Sequence, residues 1–382
     1  MNQAASPTAF LRDLIAFKTI SGSQNISLIE YLENWAQKHN FAYQRITHPK
    51  DSKRANLLCW AGPACEGGLM LSGHTDVVPV ASQDWKSDPF LLYEHDNKLF
   101  GRGTADMKGF IAATCTALSS FDLKKLKKPL SLLFTYDEET GCEGSRIAAR
   151  LLKNILPAMP KAAIIGEPTD FSIRRMHSGH VTLKIKALGK GAHSSNPSLG
   201  ISAIRAMNHV LTGLFMLEEE LKQEESFTEY FSRPYVALNV GSISGGSAVN
   251  IIPDEAQSII GFRPLPETSI DKIIERIKYI TEKASDLTGA KIIINKEQIT
   301  PPMITKAGSK LEQIIMPHAQ KNSQAAAAFS TDAGNLSHAG IECLIYGPGS
   351  IDIAHQANEF ITKLDLELAV KKISKIIENY LT

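Results

Sequence analysis

Short, continuous apolar segments that alternate with helical segments constrain the fold of this 382-residue chain more than any other feature. The segments cover residues 69–72, 130–135, 162–165 and 343–346. They lack the strict alternation of apolar and polar residues that marks a strand with one exposed face. Runs of this kind are typical of parallel strands that are covered on both faces. We therefore predict an α/β fold with a mostly parallel sheet flanked by helices.

Side chains that can bind a metal ion follow each of these predicted strands. They are His74 and Asp76, Glu138 and Glu139, Glu167, and finally His355. Any one of them alone also fits a solvated turn at a strand end. In open α/β sheets, however, ligand sites form at the carboxyl ends of the strands, so these residues are expected to converge. Imidazole and carboxylate groups are common ligands of divalent cations, and the pattern predicts a metal site at this edge.

Asp106 has two interpretations. It stands just before the helical segment 107–121, where an aspartate is commonly an N-cap. It also follows Gly101 and Gly103, but the third glycine of a dinucleotide-binding loop is missing and Asp106 occupies its place. Position alone leaves both a helix cap and a metal ligand open.

Residues 179–297 have a different pattern. The segment 180–190 alternates apolar and polar residues, which indicates a strand with one exposed face. The following predicted elements are a helix over 201–221, strands over 235–242 and 256–263, a helix over 270–280 and a strand over 290–295. The order β-α-β-β-α-β is that of a ferredoxin-like unit. We predict that residues 179–297 form a domain inserted into a metal-binding domain made of residues 1–178 and 298–382.

The balance of charge argues against two classes of partner. The chain has 41 Lys and Arg against 40 Asp and Glu, whereas nucleic-acid and membrane surfaces normally require a basic patch. The first segment reads as a helix starting at Ser6 and Pro7, with Arg12 and Asp13 inside its apolar pattern, unlike a signal peptide. The five cysteines form no CxxC motif, which is typical of reduced thiols. We expect a cytoplasmic protein with a small-molecule substrate, no nucleic acid and no membrane.

Two common hydrolase motifs are missing. The sequence has neither the HExxH helix of single-zinc proteases nor the G-x-S-x-G elbow of serine hydrolases. Metal-competent residues that are scattered along the chain suit a two-metal site instead. The charge of two Zn²⁺ ions would be balanced by Asp106, Glu139, Glu167 and a bridging hydroxide. Glu138 would then be free to move a proton.

Five motifs, found in this order, resemble those of the co-catalytic zinc deacylase family, which includes acetylornithine deacetylase, succinyl-diaminopimelate desuccinylase, aminoacylases and carboxypeptidases. They are SGHTDVVP at 72–79, GTADMKG at 103–109, DEET at 137–140, GEPT at 166–169 and GAHSS at 191–195. The similarity runs from about residue 10 to the C-terminus. It implies a zinc exopeptidase-like fold in which the inserted domain serves as a lid and a dimerisation domain.

The resemblance also implies a metal centre with two divalent ions, zinc being expected, with cobalt and manganese as alternatives. His74, Asp106 and Glu167 would hold one ion. Asp106, Glu139 and His355 would hold the other, so that Asp106 bridges the pair. Zinc lowers the pKa of a bound water to about 7, which supplies a nucleophile at neutral pH. The family further implies a cis peptide bond after Asp106.

Three other roles follow from the resemblance. Glu138 would act as the general base and then protonate the leaving amine, while Asp76 would orient the ring of His74. His193 would reach across from a partner subunit to stabilise the oxyanion, which implies a homodimer through the inserted domain. On the sequence alone, His193 also fits a structural histidine in the loop before Pro197.

Two residues of the inserted domain are candidates for substrate binding. Arg263 would bind the α-carboxylate of an N-acyl amino acid, because its guanidinium pairs bidentately with carboxylates. The alternative is a surface arginine at the end of a strand. Asn250 is a weaker candidate for the same pocket.

Within the family, residues 126–130, 177–180 and 346–350 resemble acetylornithine deacetylase most. The desuccinylase typically carries an arginine-rich segment where this chain has residues 177–180, and another arginine near residues 330–334. We therefore expect hydrolysis of N2-acetyl-L-ornithine to L-ornithine and acetate, a step of arginine biosynthesis. The alternatives are a desuccinylase, another N-acyl-amino-acid deacylase, or a non-catalytic scaffold of the same fold. A scaffold is expected to lack some of the ligands or the base.

Overall fold

The computed structural model describes residues 6–224, 230–320 and 326–382. The chain divides into two compact units. The larger unit comprises Met1–Met176, Met303–Ala327 and Thr331–Thr382, and the inserted unit comprises His177–Pro302 and Ala328–Ser330. The divisions lie at 176/177 and 302/303, where the sequence placed them at 178/179 and 297/298.

The larger unit is built on a six-stranded mixed sheet. In spatial order its strands are Ala42–His48, Asp51–Ala61, Leu130–Thr135, Gly68–His74, Pro160–Ile165 and Glu342–Ile345. The last four run parallel to one another, and the first two add an antiparallel edge. The two central parallel strands are buried along their whole length, which explains their unbroken apolar sequence. The predicted α/β class is confirmed.

Helices surround this sheet. They are Pro7–Ala16, Ile26–Lys38, Lys108–Ser119, Glu143–Ile155, Lys310–Ile315, Ala333–His338 and Lys363–Leu381. Short 3-10 turns occur at Leu123–Lys125, Met316–His318 and Ile351–Ile353. The helix Lys108–Ser119 is buried from its first residue through Leu118 and is the most enclosed of the set. Across the described ranges, no helix combines the length and the hydropathy that crossing a bilayer requires.

Smaller strands complete the larger unit. Tyr93–His95, Lys98–Phe100 and Phe360–Thr362 form an antiparallel sheet, which ties the C-terminal segment to the loop before residue 101. The remaining short strands are Met303–Ile304 and Ala326–Ala327 in this unit, and Met176–His177, which spans the division between the two units.

The inserted unit has the predicted β-α-β-β-α-β order. Its elements are His180–Leu188, Ala203–Gln223, Ala237–Gly245, Glu255–Arg263, Ile270–Thr288 and Lys291–Thr300, with a 3-10 turn at Pro197–Leu199. The four strands form an antiparallel sheet in which His180–Leu188 is an inner strand. Its alternate residues Val181, Leu183 and Ile185 are fully buried in a core shared with both helices. The period-two pattern thus marks the face that the helices cover.

The structure corrects one local prediction, adds a strand and resolves an open alternative. The strand expected to end at Ser72 continues to His74. The antiparallel edge strand Ala42–His48 was not predicted, because its mixed sequence contains no apolar run. The helix after Asp106 begins at Lys108, and Met107 occupies the N-cap position, so the aspartate is not the cap.

Candidate metal centre

His74 is the last residue of a buried parallel strand, and only 1% of its surface is exposed. Its Nδ1 lies 2.9 Å from the backbone oxygen of Asp76. When Nδ1 carries the proton and donates it to that carbonyl, the lone pair of Nε2 faces Asp106 Oδ1 at 2.9 Å and Glu167 Oε2 at 3.9 Å. This is the ring orientation that a metal-binding imidazole requires.

Asp106 occupies the centre of the cluster. Its Oδ1 faces His74 at 2.9 Å, and its Oδ2 lies 3.3 Å from Nε2 of His355. One carboxylate therefore presents one oxygen to each of two imidazoles, which is the arrangement that a bridging ligand needs. The peptide bond from Asp106 to Met107 is cis.

Glu139 and His355 form the more open side of the cluster. Nε2 of His355 lies 3.0 Å from Oε2 of Glu139, and its side chain is 51% exposed. Potential ligand atoms of His74, Asp106 and Glu139 all lie within 4.8 Å of one another. The structure thus brings all five predicted metal ligands into the larger unit around a common centre.

The residues fit divalent metal ions on two grounds. Around a tetrahedral zinc ion with ligand bonds of about 2.0–2.1 Å, neighbouring ligand atoms are separated by about 3.4 Å. The imidazole–carboxylate distances of 2.9–3.9 Å in the cluster bracket that value. In addition, Oε1 of Glu167 is buried and has no hydrogen-bond partner among the described residues. Burying an acceptor without a partner costs free energy unless a cation binds to it.

The electrostatics of the cluster also favour cations. Burial raises the pKa of Glu139 and Glu167, and the neighbouring charge of Asp106 adds to both shifts. Burial disfavours a charged His74 ring, but its contacts with Asp106 and Asp76 outweigh that cost and raise its pKa well above the ordinary value. Contacts with Asp106 and Glu139 raise the pKa of His355 to about 10. More negative groups meet here than the imidazoles neutralise.

Asp76 contacts more of the site than was predicted. Its Oδ1 is 3.6 Å from the His74 ring, and the closer contact of that ring is with the Asp76 backbone oxygen. The carboxylate instead accepts hydrogen bonds from the backbone amides of Glu138 and Glu139, at 3.1 and 3.3 Å, and from the Ser21 hydroxyl at 2.7 Å. Asp76 therefore connects the strand that ends in His74 to the turn that carries both glutamates.

Glu138 lies beside Cys142 and Asp332, neither of which the sequence analysis assigned to the metal centre. Its Oε1 is 3.5 Å from Sγ of Cys142. Potential ligand atoms of Glu138, Cys142 and Asp332 all lie within 4.8 Å of one another. Oδ2 of Asp332 accepts a hydrogen bond from Thr135 at 2.6 Å. Burial raises the pKa of Glu138 well above its ordinary value, and the charge of Glu167 contributes. A lone Cys or Asp in a single sequence carries no signal that would have placed it here.

The other three predicted site residues belong to the inserted unit. His193 is exposed, and its Nδ1 lies 2.7 Å from the Ser195 hydroxyl. The backbone amide of Ser194 donates to the carbonyl of Asn250 at 3.0 Å, so His193 and Asn250 lie on adjoining segments.

Arg263 ends the strand Glu255–Arg263 and is half-buried. Burial lowers the pKa of its guanidinium, and the nearby charge of Arg233 lowers it further. Burial and Arg263 together lower the pKa of His180 to about 4. Within the described part of the chain, no acidic group offsets the charge of Arg263. A half-buried guanidinium in this setting is suited to binding an anion.

The chain is similar to one known protein family and to named relatives over nearly its whole length. The sequence profile of Peptidase family M20/M25/M40 matches residues 70–379. The acetylornithine deacetylase of Pasteurella multocida is 35% identical over 375 residues, which cover 97% of this chain and 96% of the relative. The acetylornithine deacetylase of Klebsiella pneumoniae is 34% identical over 380 residues, with coverage of 97% and 96%.

Solved structures show the same fold. The M20 family metallo-carboxypeptidase Sso-CP2 from Sulfolobus solfataricus superposes with a TM-score of 0.77 at 20% identity, covering 98% of this chain and 99% of that one. A dinuclear metal-binding peptidase of the M20 family from Bacillus subtilis gives a TM-score of 0.67 at 14% identity, with coverage of 98% and 97%. At these identities the likeness establishes the fold, and the zinc exopeptidase-like prediction is confirmed.

Proposed function

Because this chain belongs to Peptidase family M20/M25/M40 and is a metal-dependent amide hydrolase, we propose that it removes the acetyl group from N2-acetyl-L-ornithine. The products are L-ornithine and acetate, and the reaction serves arginine biosynthesis in the cytoplasm. The observation that carries the proposal is near full-length similarity to acetylornithine deacetylases at 33–35% identity. The gathered imidazole and carboxylate groups supply a site for the chemistry.

The proposed ligand assignment follows the two sides of the cluster. His74 and Glu167 would hold one ion, Glu139 and His355 would hold the other, and Asp106 would serve as a ligand to both. Zinc is the expected metal, and cobalt and manganese suit overlapping ligand sets. When bound, the ions lower the pKa of water and polarise the scissile carbonyl.

Glu138 is the proposed proton carrier. Its carboxylate lies beside the metal ligands, and its burial raises its pKa, so it accepts a proton more readily than an exposed glutamate. It takes the proton from the attacking water and delivers it to the leaving amine nitrogen. Asp76 holds the Glu138 backbone in place through the hydrogen bond from its amide.

The inserted unit is proposed to act as lid and dimerisation domain. Arg263 binds the α-carboxylate of the substrate, supported by the lack of a described acid near it, and Asn250 contributes a weaker polar contact. His193, supplied by a partner subunit in a homodimer, donates a hydrogen bond to the oxyanion. Its ring is exposed and is available to such a partner.

A substrate panel tests the proposal. Metal-loaded protein is assayed with N2-acetyl-L-ornithine, N-succinyl-diaminopimelate and several other N-acetyl amino acids. We expect kcat/KM to be highest for acetylornithine. Much faster cleavage of the succinyl compound, or of another acyl amino acid, would reassign the substrate within the family.

Metal analysis tests the metal centre independently of any substrate. Protein purified with added zinc, cobalt or manganese should retain close to two ions per chain after desalting. Retention of none would contradict the metal centre and favour a scaffold.

A further inference from the structure

Glu359 is a fully buried carboxylate that no step of the proposed reaction uses. Its Oε1 accepts hydrogen bonds from the backbone amides of Ala105 at 2.9 Å and Asp106 at 3.0 Å. Its Oε2 accepts from the amide of Gly103 at 3.0 Å and from Nη1 of Arg102 at 2.8 Å. The loop that presents Asp106 is thus wrapped around this carboxylate.

Arg102 extends the contact to the segment that carries His355. Nη1 of this buried guanidinium also donates to the backbone oxygen of Gln356 at 3.2 Å, and Nη2 donates to Oε1 of Gln83 at 2.5 Å. Nε2 of Gln83 in turn donates to the backbone oxygen of His355 at 2.8 Å. A continuous set of hydrogen bonds therefore connects the Asp106 loop to the backbone carbonyls of His355 and Gln356.

A buried ion pair is a poor source of net stability, because desolvating both charges costs about as much as their attraction returns. The Arg102–Glu359 pair instead has two structural consequences. It satisfies three amides of a loop that has no other described acceptor for them, and it fixes the distance between two segments that are remote in sequence. Each segment carries one proposed metal ligand, Asp106 in the first and His355 in the second.

We propose that Glu359, Arg102 and Gln83 are positioning residues of the metal centre, setting the separation between the Asp106 carboxylate and the His355 ring. The inference rests on the proposed function only in assuming that the cluster binds metal ions. Glu359 accepts a hydrogen bond directly from the amide of Asp106, which would contact both ions, whereas Gln83 bonds directly to the His355 backbone and reaches Asp106 only through Arg102 and Glu359. The two residues should therefore affect metal binding in different ways.

Glutamine is not a conservative replacement for Glu359. Each carboxylate oxygen accepts two hydrogen bonds, so either orientation of an amide would point its NH₂ group at backbone or guanidinium N–H donors. Glu359→Gln should therefore loosen the loop while preserving side-chain volume. Gln83→Leu removes the three described side-chain hydrogen bonds of a partly exposed residue, those with the His355 carbonyl, Arg102 Nη2 and Trp85 Nε1, and is expected to leave the fold intact.

The test is titration of metal-free protein with Co²⁺, followed by calorimetry and by visible absorption of the bound ion. Altering residues behind metal ligands typically weakens affinity by about 10–100-fold. We expect Glu359→Gln to weaken both Co²⁺ equivalents within roughly that range and Gln83→Leu to weaken one equivalent about tenfold, the other staying unchanged. The absorption band of the affected equivalent should also shift.

Glu312→Gln provides a matched control. Glu312 also pairs with an arginine, Arg175 at 3.3 Å, and accepts a backbone amide, that of Gly308 at 2.6 Å. None of these described contacts reaches a proposed ligand. This variant should lower the melting temperature and leave both Co²⁺ affinities at the wild-type value.

Wild-type Co²⁺ affinities in both Glu359→Gln and Gln83→Leu would overturn the proposal, as would equal weakening of both ions by Gln83→Leu. If Glu359→Gln does not fold, the Gln83→Leu titration decides alone. Because metal binding is read directly, the outcome does not depend on which acyl amino acid is the substrate. A failed substrate panel with a normal titration would reject the proposed function and leave this inference standing.

Discussion

His74 in the larger unit and His177 in the inserted unit are both buried histidines, but the charges around them differ. Carboxylates surround His74, and they raise its pKa well above the ordinary value despite burial. Burial lowers the pKa of His177 to about 4, and its one described polar contact is Nδ1 donating to the backbone oxygen of Ser178 at 2.8 Å. Burial is common to both, so the neighbouring groups decide the sign of the shift.

The same contrast extends to the candidate functional groups of the two units. The larger unit collects buried carboxylates, which favour cations. The inserted unit presents Arg263, with Arg233 nearby and no described acid to offset it, which favours an anion. The proposed hydrolysis of an N-acyl amino acid would use both kinds of site, metal ions at the amide and a cation at the substrate carboxylate. Variants in each unit should therefore fail in distinguishable ways.

The largest effect is expected from Glu138→Gln. Loss of a general base typically costs about 10²–10⁴-fold in rate, so kcat should fall by roughly that amount while both metal ions remain bound. Steady-state kinetics and metal analysis measure the two quantities. Glu143→Gln, at the start of the next helix, is the control and should retain full activity. Near wild-type turnover of Glu138→Gln would mean that another group moves the proton.

His193→Ala is expected to reduce kcat by about 10²–10³-fold, the usual cost of losing one oxyanion donor, with metal content unchanged. His209→Ala, an exposed histidine on the helix Ala203–Gln223, is the control. Mixing the His193→Ala and Glu138→Gln proteins should restore part of the activity, because a hybrid dimer contains one site with both residues intact. No recovery after verified subunit exchange would contradict a donor supplied by the partner.

Arg263→Met should lower kcat/KM by roughly 10–100-fold, because a hydrogen bond to a charged group contributes about 1.5–3 kcal/mol. The loss should appear for substrates with an α-carboxylate and shrink for the corresponding α-carboxamides. Arg276→Met, which breaks pairs with Glu220 and Glu224 on the surface, serves as the control. Equal loss on both kinds of substrate would show that Arg263 does not bind the carboxylate.

The smallest effect concerns stability alone. The folded-state pKa of His177, about 4, is below the unfolded value of 6.5, so the unfolded chain binds a proton first as pH falls. The contribution of the neutral, buried His177 to folding stability is present above about pH 6.5 and is lost as pH falls toward 4. Between about pH 7.5 and pH 5.5, wild-type protein should lose roughly 1–1.5 kcal/mol more stability than His177→Leu. Urea unfolding at both pH values measures this difference, and parallel losses would contradict it.

The sequence alone determined the fold class and the candidate metal ligands. Apolar runs that end in His74, Glu138 and Glu167 predicted buried strands and the convergence of these groups at one sheet edge. The alternating segment from residue 180 predicted the antiparallel sheet of the inserted unit. These predictions succeed because burial on both faces, or on one, leaves a local period in the sequence. The edge strand Ala42–His48 was not predicted because its sequence has no such period.

Only the tertiary structure decided how the proposed metal ligands are held and which charge each buried group prefers. Asp76 accepts amides from residues about sixty positions later, and Glu359 accepts amides from residues more than 250 positions earlier. Hydrogen bonds between such distant segments leave no spacing that a reader of one sequence can recognise. The opposite pKa shifts of His74 and His177 have the same origin. Residue type sets the range of a pKa, but the neighbours assembled by the fold set its direction.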